Sequence, residues 1–229
     1  MRLNWVKAFH PLTRQGGWHW TAEGKLKMNT PAQPSETPWV LAPTRIPGIN
    51  EIGMDCGLLH SFFNYATQKQ SVHSFCMDCY KVVIMPETKE QVHKIAEWQD
   101  GTGWSCKVGA EIRNYVKDRA WGAYFYCRGL EEGRERYKEV RKWVDGNLGV
   151  NVRVILKRGC TEFEQALGDS DKWELIPGQE ILEEEFSSII DYEPGTYPQA
   201  PAIIHHVWDK WDEWEKEQVH TITYHEEEE

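Results

Sequence analysis

Between Tyr80 and Arg158, four runs of strand-forming residues alternate with two helical stretches, in an order that few architectures can satisfy. Tyr80–Met85 is a β-branched run that Pro86 stops. Thr88 with Gln91 three residues on forms a capping box, and Val92, Ile95 and Ala96 supply the helical stripe behind it. Gly101 and Gly103 end that helix, and Cys106–Ile112 reads as a second strand. Trp121–Cys127 is a third, punctuated by Gly129. Leu130, Tyr137, Val140 and Val144 mark one face of a long helix ending near Gly146, and Val150–Leu156 closes the unit as a fourth strand.

The order β-α-β-β-α-β is that of the split βαβ, or ferredoxin-like, arrangement. That name describes connectivity and brings no cluster with it. The expected fold is α+β: a ferredoxin-like βαββαβ core with an extended N-terminal arm and a helical C-terminal extension. Right-handed crossovers make the first and second strands parallel, with the third antiparallel between them. The same rule puts the first strand between the third and the fourth. The starts of strands one and two therefore lie beside the ends of strands three and four.

This topology gathers thiols. Cys76 and Cys79 precede strand one, Cys106 opens strand two, Cys127 ends strand three and Cys160 follows strand four. Five of the six cysteines fall on one edge, with Cys56 outside it. A Cys-x-x-Cys pair in a chain without secretory signals points to metal or redox chemistry before structural disulfides. Soft thiolates suit tetrahedral Zn2+ or the iron corners of a [4Fe-4S] cluster. The expected ligands are Cys76, Cys79 and Cys160, with Cys127 as the fourth and Cys106 or His73 as substitutes. Tyr80 stands where a zinc knuckle has glycine, and strand spacing requires loop freedom for Cys127 and Cys160 to share an ion.

The flanks differ in character. Residues 1–50 carry Gly16-Gly17 and the prolines at 31, 34, 38, 43 and 47, yet also Trp5, Phe9, Trp18, Trp20 and Trp39. They read as an extended aromatic arm that packs on its own domain or a partner. Residues 51–160 form the core with a leading helix from about Glu51 to Ala66, and 161–229 an acidic helical extension. In that extension Ile181, Leu182, Phe186, Ile189 and Ile190 fit one amphipathic helix. A loop with Pro194, Pro198 and Pro201 precedes a last helix over about 202–218 that carries Trp208, Trp211 and Trp214. Another protein subunit, docked through the aromatic arm or the Trp helix, is the expected partner.

Charge is segregated: residues 107–158 hold 13 basic and 7 acidic side chains, and residues 159–229 hold 3 basic and 20 acidic. No apolar run approaches the ~18 residues of a membrane span, and Met1–Phe9 has no signal-peptide core, so a soluble cytoplasmic protein is expected. The leading expectation is a thiolate metal-site protein acting as an accessory or interaction subunit. A second is an RRM-like RNA-binding or protein-interaction module without metal, since Arg119–Tyr126 resembles the RNP1 pattern and lies in the basic segment. It departs from that pattern at Ala120 and Ala123. A third is a cysteine-nucleophile enzyme using Cys160, whose neighbour Arg158 would lower a thiol pKa. No P-loop, dinucleotide-binding, His-Glu-x-x-His or Gly-x-Ser-x-Gly motif is present.

Overall fold

The computed structural model describes residues 4–14, 18–28, 38–41, 56–68, 71–111, 119–191, 199 and 201–226. Its fold is mixed α/β. In chain order the elements are α1 (Trp5–Arg14), β1 (Trp18–Trp20), β2 (Leu26–Met28), β3 (Trp39–Leu41), α2 (Cys56–Thr67), β4 (Cys79–Met85), α3 (Lys89–Asp100), β5 (Cys106–Ala110), β6 (Trp121–Arg128), α4 (Gly129–Asn147), β7 (Arg153–Arg158), α5 (Thr161–Leu167), α6 (Gln179–Ile189), β8 (Ile190–Asp191) and α7 (Pro201–Glu226). The main sheet runs β3-β5-β6-β4-β7, with every neighbouring pair antiparallel. A small second sheet runs β1-β2-β8.

Both faces of the main sheet are buried, which is why β4 shows no alternation of polarity. Val82 and Ile84 of β4 join Trp121, Ala123 and Phe125 of β6 in the large core beneath α3 and α4. Val83, Met85 and Tyr124 form a separate cluster on the opposite face. The Thr88 cap behaves as its sequence implies: its hydroxyl accepts from Gln91 N at 3.3 Å, and the Gln91 side chain accepts from Glu87 N at 2.7 Å.

Three expectations need correction. The sheet has a fifth strand, β3, at the outer edge of β5. The N-terminal region is not wholly extended, because Trp5–Arg14 is helical and Phe9 is fully buried with its ring 5.7 Å from Phe186. Tertiary burial overrides the turn signals there. The fourth strand begins at Arg153, three residues later than expected. Leu148 and Gly149 both donate to Val144 O, and Arg141 donates to Val152 O at 2.6 Å, so the segment after α4 is used as a helix stop. Ile112, most of the proline loop and residues 227–229 lie outside the described residues.

The C-terminal helix docks on its own sheet. Val207 and Trp211 of α7 are fully buried, Trp211 Nε1 donates to Pro38 O at 2.8 Å, and Trp121 meets Trp211 and Trp214 edge-on at 6.0 and 4.9 Å. Complete burial of one Trp contributes roughly 4–6 kcal/mol from area alone. The Lys89 bridges to Asp212 and Glu215, at 2.7 and 2.8 Å, are solvent-exposed on the acidic side and add little beside it. No helix among the described residues is long and apolar enough to cross a membrane.

His93 of α3 sits edge-on to Trp208 and Trp211, at 5.0 and 5.3 Å. Burial, with help from the Lys89 charge, holds its pKa below the ordinary value, and burial does the same to His60. The unfolded chain takes up protons near pH 6.5 and the folded chain only at lower pH, so stability is full above that value and falls below it. The melting temperature should fall between pH 7 and pH 5, and His93→Gln should make that fall smaller. An identical pH profile in the variant would remove His93 from this account.

Candidate functional site

The thiol corner is set by strand register. Cys79 faces Arg128 of β6, and Tyr80 pairs with Cys127 on one side and Arg158 on the other. The start of β4 and the ends of β6 and β7 therefore meet at one corner. Cys76 lies on the 3-10 turn Ser74–Asp78 that feeds β4, and Cys160 is the N-cap residue of α5. Gly159 makes the bend between β7 and Cys160. Its φ is +62°, its N–H donates to Cys79 O at 2.9 Å, and a Cβ there would come within 2.4 Å of the Trp173 ring. Arg158 ties the corner from below, donating from Nε to Met77 O at 2.8 Å and from Nη1 to Ser170 O at 2.9 Å.

A charge on Cys79 or Cys160 raises the pKa of Cys76, and a charge on Cys160 raises that of Cys79. Cys76 and Cys160 also share an apolar cluster with Val72, Phe163 and Trp173. Cys127 is placed differently. It belongs with Phe125 and Cys106 to the core beneath the helices, whereas Cys79 shares parity with Lys81 and Val83 on the other face. Cys127 is thus near the corner but across the pleat from Cys79. Cys106 and Cys127 donate weakly to the carbonyls of Trp104 and Phe125, as core thiols do. Cys56 begins α2, and only its backbone is described.

All five described thiols are free. Burial foremost, with neighbouring thiols adding, pushes Cys79 up to about 12 and raises Cys76 further. Burial lifts Cys106 to about 12 and Cys127 to about 11. Among the described residues, no group of three or more His, Cys, Asp and Glu side chains is arranged to hold a metal ion. Protonated thiols gain nothing by converging, and a metal binds only as it displaces their protons.

Lys81 enters the same corner, and sequence reasoning missed it. The residue is 4% exposed, and its amine lies over the Tyr124 ring, 5.4 Å from the centroid and within cation–π range. Burial alone lowers its pKa, but Cys160, Glu162, Cys79 and Tyr124 more than reverse that by their charges. The charges around it, that of the Glu162 carboxylate among them, therefore favour the ammonium. The signal in sequence is one lysine inside an otherwise apolar strand.

Behind Cys76 lies a buried polar network, also missed. Glu183 of α6 is 5% exposed and accepts from Ser74 N at 2.8 Å, Gln179 Nε2 at 2.6 Å and the Ser74 hydroxyl. The His73 Nε2 atom is 3.4 Å from Glu183 Oε2 without hydrogen-bond geometry. Burial holds His73 below its ordinary pKa, with Glu183 pulling the other way.

The features that suggested other functions are occupied elsewhere. Trp121 is 3% exposed on the helix side, between Trp211 and Trp214, and Tyr124 is buried on the other face with its hydroxyl donating to Glu111 at 2.6 Å. Neither presents a ring for base stacking. The Arg158 guanidinium, beside Cys160 in sequence, is committed to two carbonyls.

No family model, curated protein or solved structure matches this chain.

Burying an ammonium costs desolvation that an apolar side chain of similar length avoids. In metal-free protein Lys81→Met should therefore raise stability by about 1–4 kcal/mol, measured by denaturant unfolding. A loss of stability in that variant would mean that the ammonium is satisfied in the folded state.

Proposed function

We propose that this chain is a thiolate metal-site protein, with the ion held by Cys76, Cys79 and Cys160 at one corner of a ferredoxin-like βαββαβ sheet. The observation that carries the reading is that strand register brings the 3-10 turn before β4, the start of β4 and the bend after β7 to one corner, and each of these segments holds a free thiol. A bound ion would take the thiols as thiolates, with the Lys81 ammonium within electrostatic range of Cys79 and Cys160. Zn2+ and a [4Fe-4S] cluster both suit such ligands. The strand order β5-β6-β4-β7 supports the ferredoxin-like description, with β3 an addition at the edge.

The site's role would be to bind the loop before β4 to the turn after β7, joining segments far apart in sequence. A structural metal site contributes its binding free energy to folding. An accessory or interaction subunit fits this role.

Protein purified anaerobically should carry stoichiometric zinc or iron, measured by elemental analysis. Cys79→Ser and Cys160→Ser should each lose it together with several degrees of melting temperature. Absence of metal from the native protein, with unchanged melting temperatures in both variants, would sink the proposal.

A further inference from the structure

Three tryptophans gather where α3 ends beside the later half of α4. Trp98 stands in the last turn of α3, Trp104 in the connection from α3 to β5, and Trp143 on α4. They border a groove of about 640 Å³, within the roughly 300–1,000 Å³ of small-molecule sites. Glu139, Trp143 and Asn147 recur every fourth residue, so one face of α4 supplies a wall, and Lys142 adds to its rim. None of these residues belongs to the thiol corner.

The rings hold one another in place. Trp98 stacks on Trp143 with centroids 4.1 Å apart and planes 7° from parallel, and it meets Trp104 edge-on at 5.7 Å. Trp98 and Trp104 also contact Phe125 of the buried core, at 5.3 and 6.0 Å. The Arg136 guanidinium lies over Trp104 at 4.0 Å and is tied to Glu132 at 2.8 Å. All three tryptophans stay half-buried, whereas Glu139, Lys142 and Asn147 are exposed. Among the described residues, the α4 ion pairs Glu131–Arg134, Glu132–Arg136 and Arg141–Asp145 use neither Glu139 nor Lys142. Asn147 donates from its amide nitrogen to Trp143 O at 2.8 Å, which leaves its side-chain oxygen to accept.

This arrangement selects among ligands. A planar ring cannot slide between Trp98 and Trp143, because they are already closed on each other. An organic cation needs bare ring faces, but these two cover one another and Trp104 already carries Arg136. A phosphate needs clustered cations, whereas Lys142 on this rim is countered by Glu139. A neutral sugar meets all three conditions. Its C–H face can pack on the part of Trp143 turned away from Trp98, where partly positive hydrogens meet the negative face of the ring. Its hydroxyls both donate and accept, so they suit a carboxylate, an ammonium and an amide oxygen together. We propose that the groove between α3 and α4 binds a neutral saccharide, with Trp143 as stacking platform and Glu139, Lys142 and Asn147 as hydroxyl partners.

The test is saturation-transfer difference NMR with isothermal titration on the full chain. The probes are neutral trisaccharides of glucose, galactose, mannose and N-acetylglucosamine, with adenosine monophosphate and choline as comparators. At least one saccharide should bind with Kd below about 10 mM, with saturation strongest on the C–H protons of one sugar face. Trp143→Ala should weaken that binding about tenfold. Because this ring also packs on Trp98, the exposed variants Glu139→Gln and Lys142→Met are measured beside it. Each should weaken binding about threefold and leave the melting temperature unchanged. No saccharide binding at about 10 mM, or binding that all three variants leave within about twofold of native, would overturn the proposal. Tighter binding of either comparator at the same residues would overturn it as well.

Discussion

The register of β4 between β6 and β7 is the constraint on which the thiol corner depends. Tyr80 pairs with Cys127 and Arg158, and this single alignment brings Cys79 beside the end of β7. A slip by one residue would move Val82 and Ile84 out of the helix-side core and bring Val83 and Met85 in. Both sets are apolar, so polarity alone would not penalise the slip. Shape does: the helix side accommodates residues packed against Val92, Ile95, Val140 and Val144, and the other face is fitted around Tyr124. Gly159 adds a second lock, since its left-handed bend and its bond to Cys79 O hold only in this alignment.

Once register is fixed, the corner collects groups that are costly apart. Lys81 is almost wholly buried, burial holds Cys76 and Cys79 protonated, and a buried histidine nitrogen faces a carboxylate without bonding it. Cores seldom tolerate several such groups together. In the proposed site one ion would turn the thiols into thiolates near Lys81. Of the positive region of sequence, residues 107–158, Arg158 ties this corner, whereas Arg136 lies 4.0 Å over the Trp104 ring.

Much of this was legible from sequence, for physical reasons that also mark the limit. The four central strands follow from β-branched runs between strong stops, and the common edge of the cysteines needs only strand directions. Which face each thiol takes was not legible. Both faces of β4 and β6 are apolar, so a period of two leaves no mark, and the opposition of Cys79 and Cys127 appears only with the register. β3 was hidden because it is three residues long, begins directly after Pro38, and owes its place to pairing with β5. Glu183 was hidden in the run Glu183–Glu185, which reads as a solvated face until Gln179 and Phe186 show which side of α6 is buried.

The central claim is that Cys76, Cys79 and Cys160 belong to one coordination sphere. Cadmium-113 substitution with proton-detected correlation spectroscopy tests it directly, because scalar coupling passes from the ion only to the β-protons of cysteines that bind it. The account predicts one cadmium signal with cross-peaks to all three residues and none to Cys106. A signal coupled to Cys106 and Cys127 instead, or no specific signal after loading, would contradict it.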